Sequence, residues 1–280
     1  MKNYRIKIVT DSSSDLRTYD KADFAAAPLK ISTAEKEFTD DSSLDILKMV
    51  TYLGSYSGRS TTSCPNTEDW LKAFGDADII FCITMTSALS GTYNSAMLAK
   101  RTFEESAEGR HVYVIDSLST GPEIALIADR ISELIHTEAS PDDIYEKAEE
   151  YKKSTGLLFM LESMKNLANN GRVSPIAAKM AGILGIRIVG KASVKGELEL
   201  LEKCRGEKRA IEEMYAQMKS MGYAGGKVKL TNCFNKNAAE QLDALIKTEY
   251  PQALTEIYAC GGLCSFYAEN HGMLVGFEHN

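Results

Sequence analysis

A repeated order of buried strand, polar loop and helix runs through the first half of this chain and constrains its fold more than any other feature. Short apolar runs predict strands at Arg5–Thr10, Ile79–Ile83 and Val112–Ile115. The second run leads through a loop rich in Ser and Thr into a helical pattern from Tyr93 to about Glu105. This alternation predicts an α/β fold with a mostly parallel sheet and helices on both of its faces.

Local start signals indicate further elements in this half. Asn66, with Asp69 three residues later, is typical of a helix N-cap, and Ser140 before Pro141 favours another helix start. Another apolar run spans Ala25–Ile31. Two more helices are predicted, at Leu44–Leu53 and from Pro122 to His136.

The character of the chain changes near Thr155 and Gly156. We therefore predict an N-terminal α/β domain over residues 1–155 and a C-terminal α/β domain over residues 156–280. A helix of small and apolar residues is predicted from Ile176 to Leu184. Strands and helices alternate after it, up to a final strand at Met273–Phe277.

Composition excludes several classes of protein. The net charge of −7 over 280 residues disfavours a nucleic-acid-binding protein, whose surface would be basic. No apolar run is long enough to span a bilayer, and the first residues have no apolar signal core, so we expect a cytoplasmic protein. The six cysteines form no Cys-x-x-Cys pair and the four histidines are scattered, which disfavours a zinc site and favours reduced thiols in the core.

The common enzyme signatures fail on inspection. The stretch 54–58 has glycines at the ends of a Gly-x-Ser-x-Gly pattern, but Tyr56 occupies the nucleophile position. Residues 185–191 fit a phosphate-binding loop until Ala192, which cannot bind magnesium. Neither segment therefore indicates a catalytic centre.

Two acidic residues at the end of the first strand leave two interpretations open. Asp11 and Asp15 could bind magnesium in a phosphatase-like site. Asp beside Ser at a strand end is also an ordinary cap for the following turn, and this second interpretation is the more common one.

Hydroxyl groups cluster in two polar segments. Thr62 and Ser63 precede Pro65, while Ser90 and Thr92 flank Gly91 where a helix is expected to begin. Exposed N–H groups and hydroxyls at a helix start can hold a carboxylate or a phosphate, although Ser90 could also serve only as a helix cap. No general base accompanies these hydroxyls, so the set suits binding an anion better than reacting with it.

Five segments resemble motifs of the DegV family and appear in the family's order. Ser87–Ala96 is similar to the family's Ser-x-Leu-Ser-Gly-Thr-Tyr-x-Ser-Ala motif. Thr62–Asn66 resembles its Thr-Ser-Gln-Pro-Ser motif, with Cys64 in place of Gln and Asn66 in place of the second Ser. The remaining segments are Ile8–Leu16, Val114–Ser117 and Gly171–Ser174.

The resemblance implies a two-domain protein without catalytic machinery of its own that binds one long-chain fatty acid in a cleft between its domains. Some family members are the acyl-carrying subunit of a bacterial fatty acid kinase, whose partner subunit brings ATP. No cofactor other than the bound fatty acid is implied. Carried over to this sequence, the hydroxyls of Thr62 and Ser90 and the N–H groups near Gly91 would bind the carboxylate. The helix Ile176–Leu184 would form part of the wall around the tail. The ligand-binding set expected on this basis is Thr62, Ser63, Ser90, Gly91, Thr92 and His271.

One departure from the family pattern concerns a His-Thr-Gly-Pro-Gly motif near the C-terminus, whose histidine also reaches the head group. The corresponding stretch here, 262–272, lacks the proline, so either His271 or Phe266 would take the place of that histidine. Two alternatives to a lipid carrier remain at this stage. One is a phosphotransferase or hydrolase acting on a small anionic substrate at the same hydroxyls, and the other is an interaction protein with an empty pocket.

Overall fold

The computed structural model of the protein describes residues 4–137, 139–174 and 183–280. Most of the helix predicted at Ile176–Leu184 therefore lies outside the described residues. No helix within these three ranges is long and apolar enough to cross a membrane.

A parallel sheet forms the N-terminal half of the fold, as the sequence predicted. The order of its strands is β2-β1-β6-β7, and every neighbouring pair is parallel. Its strands are β1 (Ile6–Asp11), β2 (Phe24–Ala27), β6 (Ile79–Thr84) and β7 (His111–Asp116).

A small antiparallel sheet beside it was not predicted, because its strands are only three residues long. It has the order β4-β3-β5. The strands are β3 (Lys30–Ser32), β4 (Glu37–Thr39) and β5 (Thr61–Ser63). The apolar run Ala25–Ile31 is divided between β2 and β3 at Pro28, which has no N–H group to donate to a ladder.

The third sheet is mixed and belongs to the C-terminal half. Its order is β10-β9-β8-β13-β11-β12, in which only the β11–β12 pair is parallel. The strands are β8 (Thr155–Leu161), β9 (Ile186–Ala192), β10 (Leu198–Arg205), β11 (Val228–Asn232), β12 (Thr255–Ala259) and β13 (Met273–Glu278). The boundary between domains 1–155 and 156–280 stays a prediction; it falls at the start of β8.

Helices lie on both faces of the parallel sheet and on both faces of the mixed sheet. The described helices are α1 (Ile46–Ser55), α2 (Thr67–Phe74), α3 (Thr92–Ser106), α4 (Pro122–Ile135), α5 (Pro141–Tyr151), α6 (Lys165–Asn169), α7 (Glu207–Ser220), α8 (Lys236–Glu249) and α9 (Gly262–Ala268). On the parallel sheet, α2 and α3 share one apolar cluster with β1 and β6, and α4 and α5 share another with the opposite face. The predicted two-faced arrangement is thus confirmed.

Local sequence explains where several helices begin. Asn66 accepts a hydrogen bond from the backbone N–H of Asp69 at 2.9 Å, and the Asp69 carboxylate accepts one from the N–H of Asn66 at 3.0 Å. This reciprocal capping box satisfies two backbone donors that the helix itself leaves free, and a cap of this kind contributes about 1 kcal/mol. Ser140 caps α5 by accepting a hydrogen bond from the backbone N–H of Asp143 at 3.2 Å, with Pro141 in the first turn.

Helix α4 lies between the parallel sheet and the mixed sheet. It packs against β1 and β6 on one side and against β8, β11 and β13 on the other. Gly276 of β13 permits this approach, since a Cβ there would meet backbone atoms of Pro122 and Glu123 within 3 Å. Both halves of the chain therefore share one layer of core around α4.

Candidate functional site

A cavity of about 280 Å³ lies where the parallel and mixed sheets meet. One wall is the face of β8 that carries Leu157, Phe159 and Leu161, which alternate along the strand and so point to the same side. The other apolar residues of the wall are Leu29, Met85, Leu89, Leu167, Leu198, Leu263, Ala268 and Leu274. A long apolar group can therefore be enclosed by residues from both halves of the chain.

Hydroxyl groups gather at one part of this lining. Thr62 and Ser63 come from β5, and Ser90 and Gly91 come from the loop that leads into α3. The structure thus brings together the two polar segments that the sequence singled out. Because the first N–H groups of a helix have no partner within the helix, the start of α3 adds donors and a positive dipole end beside the hydroxyls.

Ser90 is tied to the start of α3 but keeps capacity for a ligand. Its Oγ accepts from the N–H of Thr92 at 3.3 Å and lies 2.8 Å from Thr92 Oγ1. The N-cap residue of α3 is Gly91, which has no side chain that could cap the helix. Thr92 is fully buried beside this group and is not among the described residues that line the cavity.

Arg172 supplies the positive charge of the site. It is the only charged residue among the described residues of the lining. Its Nε donates to the carbonyl oxygen of Leu89 at 3.1 Å, and a terminal nitrogen donates to the carbonyl oxygen of Asn170. The guanidinium is therefore fixed near Ser90. The sequence analysis gave Arg172 no role, although it lies in a segment that resembled a family motif.

Tyr267 of α9 closes the polar part from the C-terminal side. Its hydroxyl oxygen lies 2.7 Å from Thr62 Oγ1, and its half-buried ring stands edge-on to Phe266. Phe266 itself is buried in the core with Ile31 and Met49 and is not one of the described lining residues.

His271 lies away from these groups. Its side chain is exposed, and Nδ1 is 2.9 Å from a carboxylate oxygen of Glu162. The same oxygen accepts from Arg187 at 3.0 Å, so His271 belongs to a surface charge cluster at the end of β8. It is not among the described residues that line the cavity.

Asp11 serves as a connector between loops. Its carboxylate accepts from the N–H of Ser13 at 3.0 Å and from the N–H of Met85 at 2.7 Å, and burial raises its pKa to about 6. These contacts match the capping interpretation of Asp11. Among the described residues, no group of three or more His, Cys, Asp or Glu side chains is arranged to hold a metal ion.

Two other buried carboxylates hold the start of α9. Asp15 accepts from the N–H of Gly261 at 2.7 Å, and Asp40 accepts from the N–H groups of Gly262 and Leu263 at 2.7 and 2.9 Å. Burial raises the pKa of Asp15 to about 7 and raises that of Asp40. Helix α9, which the sequence did not predict, is thus docked onto the N-terminal half and carries Tyr267 to the cavity.

The chemistry of the lining favours binding over reaction. Its described residues include no Asp, Glu, His or Lys that could act as a general base. The thiol of Cys64 lies beside Gly91, and burial raises the pKa of this thiol, which keeps it in the unreactive protonated form. A fixed cation, hydroxyls and a helix start together can hold an anion at the polar part of an apolar cavity.

Comparison with known proteins agrees with this architecture. A family profile described as "Uncharacterised protein, DegV family" matches residues 5–277. A DegV domain-containing protein of Streptococcus pneumoniae is 40% identical over 276 residues, which cover 97% of this chain and 98% of that protein.

Two solved structures are similar over almost their whole length. One is a DegV family protein from Eubacterium eligens loaded with heptadecanoic acid, with a TM-score of 0.96 at 40% identity over 98% of this chain and 100% of that one. The other is the Streptococcus pneumoniae fatty acid kinase B3 protein loaded with linoleic acid, with a TM-score of 0.96 at 39% identity over 98% of this chain and 99% of that one. This chain belongs to the DegV family.

Proposed function

We propose that this protein binds one long-chain fatty acid in the cavity between the sheets. The observation that carries the proposal is the division of the lining into an extended apolar wall and one group of hydroxyls around Arg172. Thr62, Ser63, Ser90 and the N–H groups beside Gly91 would hold the carboxylate. The similar Eubacterium eligens and Streptococcus pneumoniae proteins, loaded with heptadecanoic and linoleic acid, support this choice of ligand.

Tail and head group have different tasks in this proposal. Burial of one methylene contributes roughly 0.8 kcal/mol, so about 15 methylenes contribute on the order of 12 kcal/mol before association costs. A hydrogen bond to the charged head contributes only about 1.5–3 kcal/mol. The apolar wall therefore sets the affinity, and the polar group sets the orientation.

The protein would act as a carrier that presents the carboxylate to a separate kinase subunit. Its cavity offers anion-binding groups without a general base among the described residues, so the phosphate donor and the catalytic groups would come from the partner. The similarity to the fatty acid kinase B3 protein supports this role. A carrier that does not itself catalyse a reaction needs no bound cofactor.

The first experiment is mass spectrometry of an organic extract of the freshly purified protein, together with native mass spectrometry of the same sample. We expect one stoichiometric fatty acid. A protein that is empty and also refuses added palmitate and oleate would contradict the proposal. Its polar group should then be screened against phosphorylated metabolites.

Replacement of Ser90 by Ala should weaken fixation of the head group more than it weakens binding. We expect the Ser90→Ala variant to retain lipid on purification but to bind palmitate about tenfold more weakly, because one hydrogen bond to a charged group is lost. Affinity for methyl palmitate should not change. Ser95→Ala is the matched control, since Ser95 donates to the carbonyl of Pro65 at 2.6 Å outside the cavity. Loss of all lipid from the Ser90 variant would contradict this division of tasks.

Binding should also be independent of magnesium. Asp11 already accepts backbone N–H groups, and Arg172 supplies the positive charge that a cation would otherwise provide. Titration of the delipidated protein with palmitate in EDTA and in millimolar Mg²⁺ should give the same dissociation constant. A strict need for the metal would restore Asp11 and Asp15 as candidate ligands.

A further inference from the structure

We infer that Tyr267 is a positioning residue of the head-group site, whose hydroxyl donates to Thr62 Oγ1 and directs the Thr62 proton toward the bound carboxylate. The inference rests on the proposed function, because it assigns a role within the same cavity. The sequence left open whether His271 or Phe266 takes the place of the family's head-group histidine. We assign that place to Tyr267.

The geometry places Tyr267 at the right point. Its hydroxyl oxygen is 2.7 Å from Thr62 Oγ1, and both residues line the cavity. The two residues are 205 positions apart in sequence, so this bond joins β5 of the N-terminal half to α9 of the C-terminal half. Phe266 packs edge-on against the Tyr267 ring and limits its movement.

The hydrogen-bond inventory then fixes the direction of the bond once a ligand is present. Without a ligand, either hydroxyl could donate to the other. A carboxylate only accepts, so Thr62 must use its single proton for the ligand. Thr62 Oγ1 can then only accept from Tyr267, which has one proton to give. The resulting chain, from Tyr267 to Thr62 to carboxylate, is polarised in one direction and strengthens each of its bonds.

The protonation state of Tyr267 agrees with a donor role. Burial raises the pKa of its hydroxyl, and this outweighs the opposite influences of Thr62 and Arg172. Tyr267 thus keeps its proton at neutral pH. His271 cannot supply this contact from its place beside Glu162, since it is exposed and lies outside the described lining.

Hydrogen bonds at both ends of α9 hold Tyr267 in place. Asp15 and Asp40 hold the first N–H groups of the helix, and Asn166 donates to the carbonyl of Phe266 near its end. A short helix fixed at both ends presents the hydroxyl at a constant distance from β5. Such support is what a binding group needs to orient a ligand.

The test compares four forms of the delipidated protein: wild type, Tyr267→Phe, Thr62→Val and the double variant. Dissociation constants are measured for palmitate and for methyl palmitate, which has the same tail but no carboxylate. Tyr223→Phe is the matched control, because Tyr223 donates to the carbonyl of Gly226 at 3.2 Å away from the cavity.

We expect Tyr267→Phe to bind palmitate roughly three- to tenfold more weakly and methyl palmitate as well as wild type does. Because Tyr267 acts through Thr62, its loss on the Thr62→Val background should change palmitate binding by less than twofold. A merely structural role would lower the affinity for both ligands alike.

Three results would overturn the assignment. Tyr267→Phe could match the Tyr223→Phe control in palmitate binding, or it could weaken binding of both ligands equally. Additive effects in the double variant would show a direct contact with the carboxylate in place of a positioning role. Wild type that binds neither palmitate nor its ester would instead refute the proposed function, so the two failures are distinguishable.

Discussion

Lauric acid is expected to bind this protein about 200-fold more weakly than palmitic acid. The two acids share a carboxylate and differ by four methylenes, each of which contributes roughly 0.8 kcal/mol when buried, or about 3 kcal/mol together. The proposed head-group contacts of Ser90 and Arg172 would be the same for both ligands and cancel in the comparison. The ratio therefore reports burial of the tail against the apolar wall alone.

Displacement of a fluorescent fatty acid, with every ligand kept below its self-association concentration, measures this ratio. The Ser90→Ala variant is a useful control, because it should bind both acids more weakly and leave their ratio unchanged. A ratio below about tenfold would mean that the last methylenes of palmitate stay in water. The ligand would then lie outside the cavity lined by Leu157, Phe159 and Leu161.

Replacement of Lys229 by Met is expected to lower the free energy of unfolding by about 3 kcal/mol. Lys229 of β11 is 4% exposed and contacts the Asp129 carboxylate of α4 at 2.9 Å, so the pair joins the two halves of the fold. Burial alone would raise the pKa of Asp129, but the ammonium groups of Lys229 and Lys21 outweigh it and hold that pKa below its usual range. Without Lys229, a buried carboxylate loses its buried partner.

Urea unfolding followed by circular dichroism measures this loss. The control is Lys219→Met, which removes an exposed lysine paired with Glu249 at 3.0 Å and should cost less than about 1 kcal/mol. A Lys229→Met, Asp129→Leu double variant should recover much of the stability, since the buried charge is then gone. Equal stabilities of Lys229→Met and Lys219→Met would show that Lys21 and Tyr19, which also donate to the Asp129 carboxylate, satisfy it without Lys229.

Elements defined by local signals were predictable. The start of α2 follows from Asn66 and Asp69, because a capping box forms between residues three positions apart and needs no tertiary partner. The strands β1, β6 and β7 follow from short apolar runs. The signal is clearest for β6, which is buried on both faces and is apolar along most of its length.

Elements that depend on distant residues were not predictable. Helix α9 begins at Gly262 with Gly261 as its N-cap residue, and glycine disfavours a helix by itself. Carboxylates more than 220 positions away stabilise its start, so no local pattern could indicate it. By contrast, the separation of β2 from β3 at Pro28 could have been predicted from the sequence, because proline has no N–H group to donate to a strand ladder.

The same distinction applies to the site. Thr62, Ser63, Ser90 and Gly91 belong to hydroxyl-rich segments and could be recognised from the sequence. Tyr267 could not, because its relation to Thr62 exists only in the folded chain. His271 is near the expected position in sequence, yet one turn of backbone at the end of α9 is enough to direct it to Glu162 on the surface.

The position of α4 between both sheets also bears on how the protein responds to heat and denaturant. A helix that packs against β1 and β6 as well as β11 and β13 cannot leave one half without exposing apolar surface of the other. The two halves should consequently lose their structure in one cooperative transition. A fatty acid bound between the same sheets would act as additional core. By mass action, occupancy would stabilise the whole chain rather than one half, so the thermal midpoint becomes a measure of lipid supply.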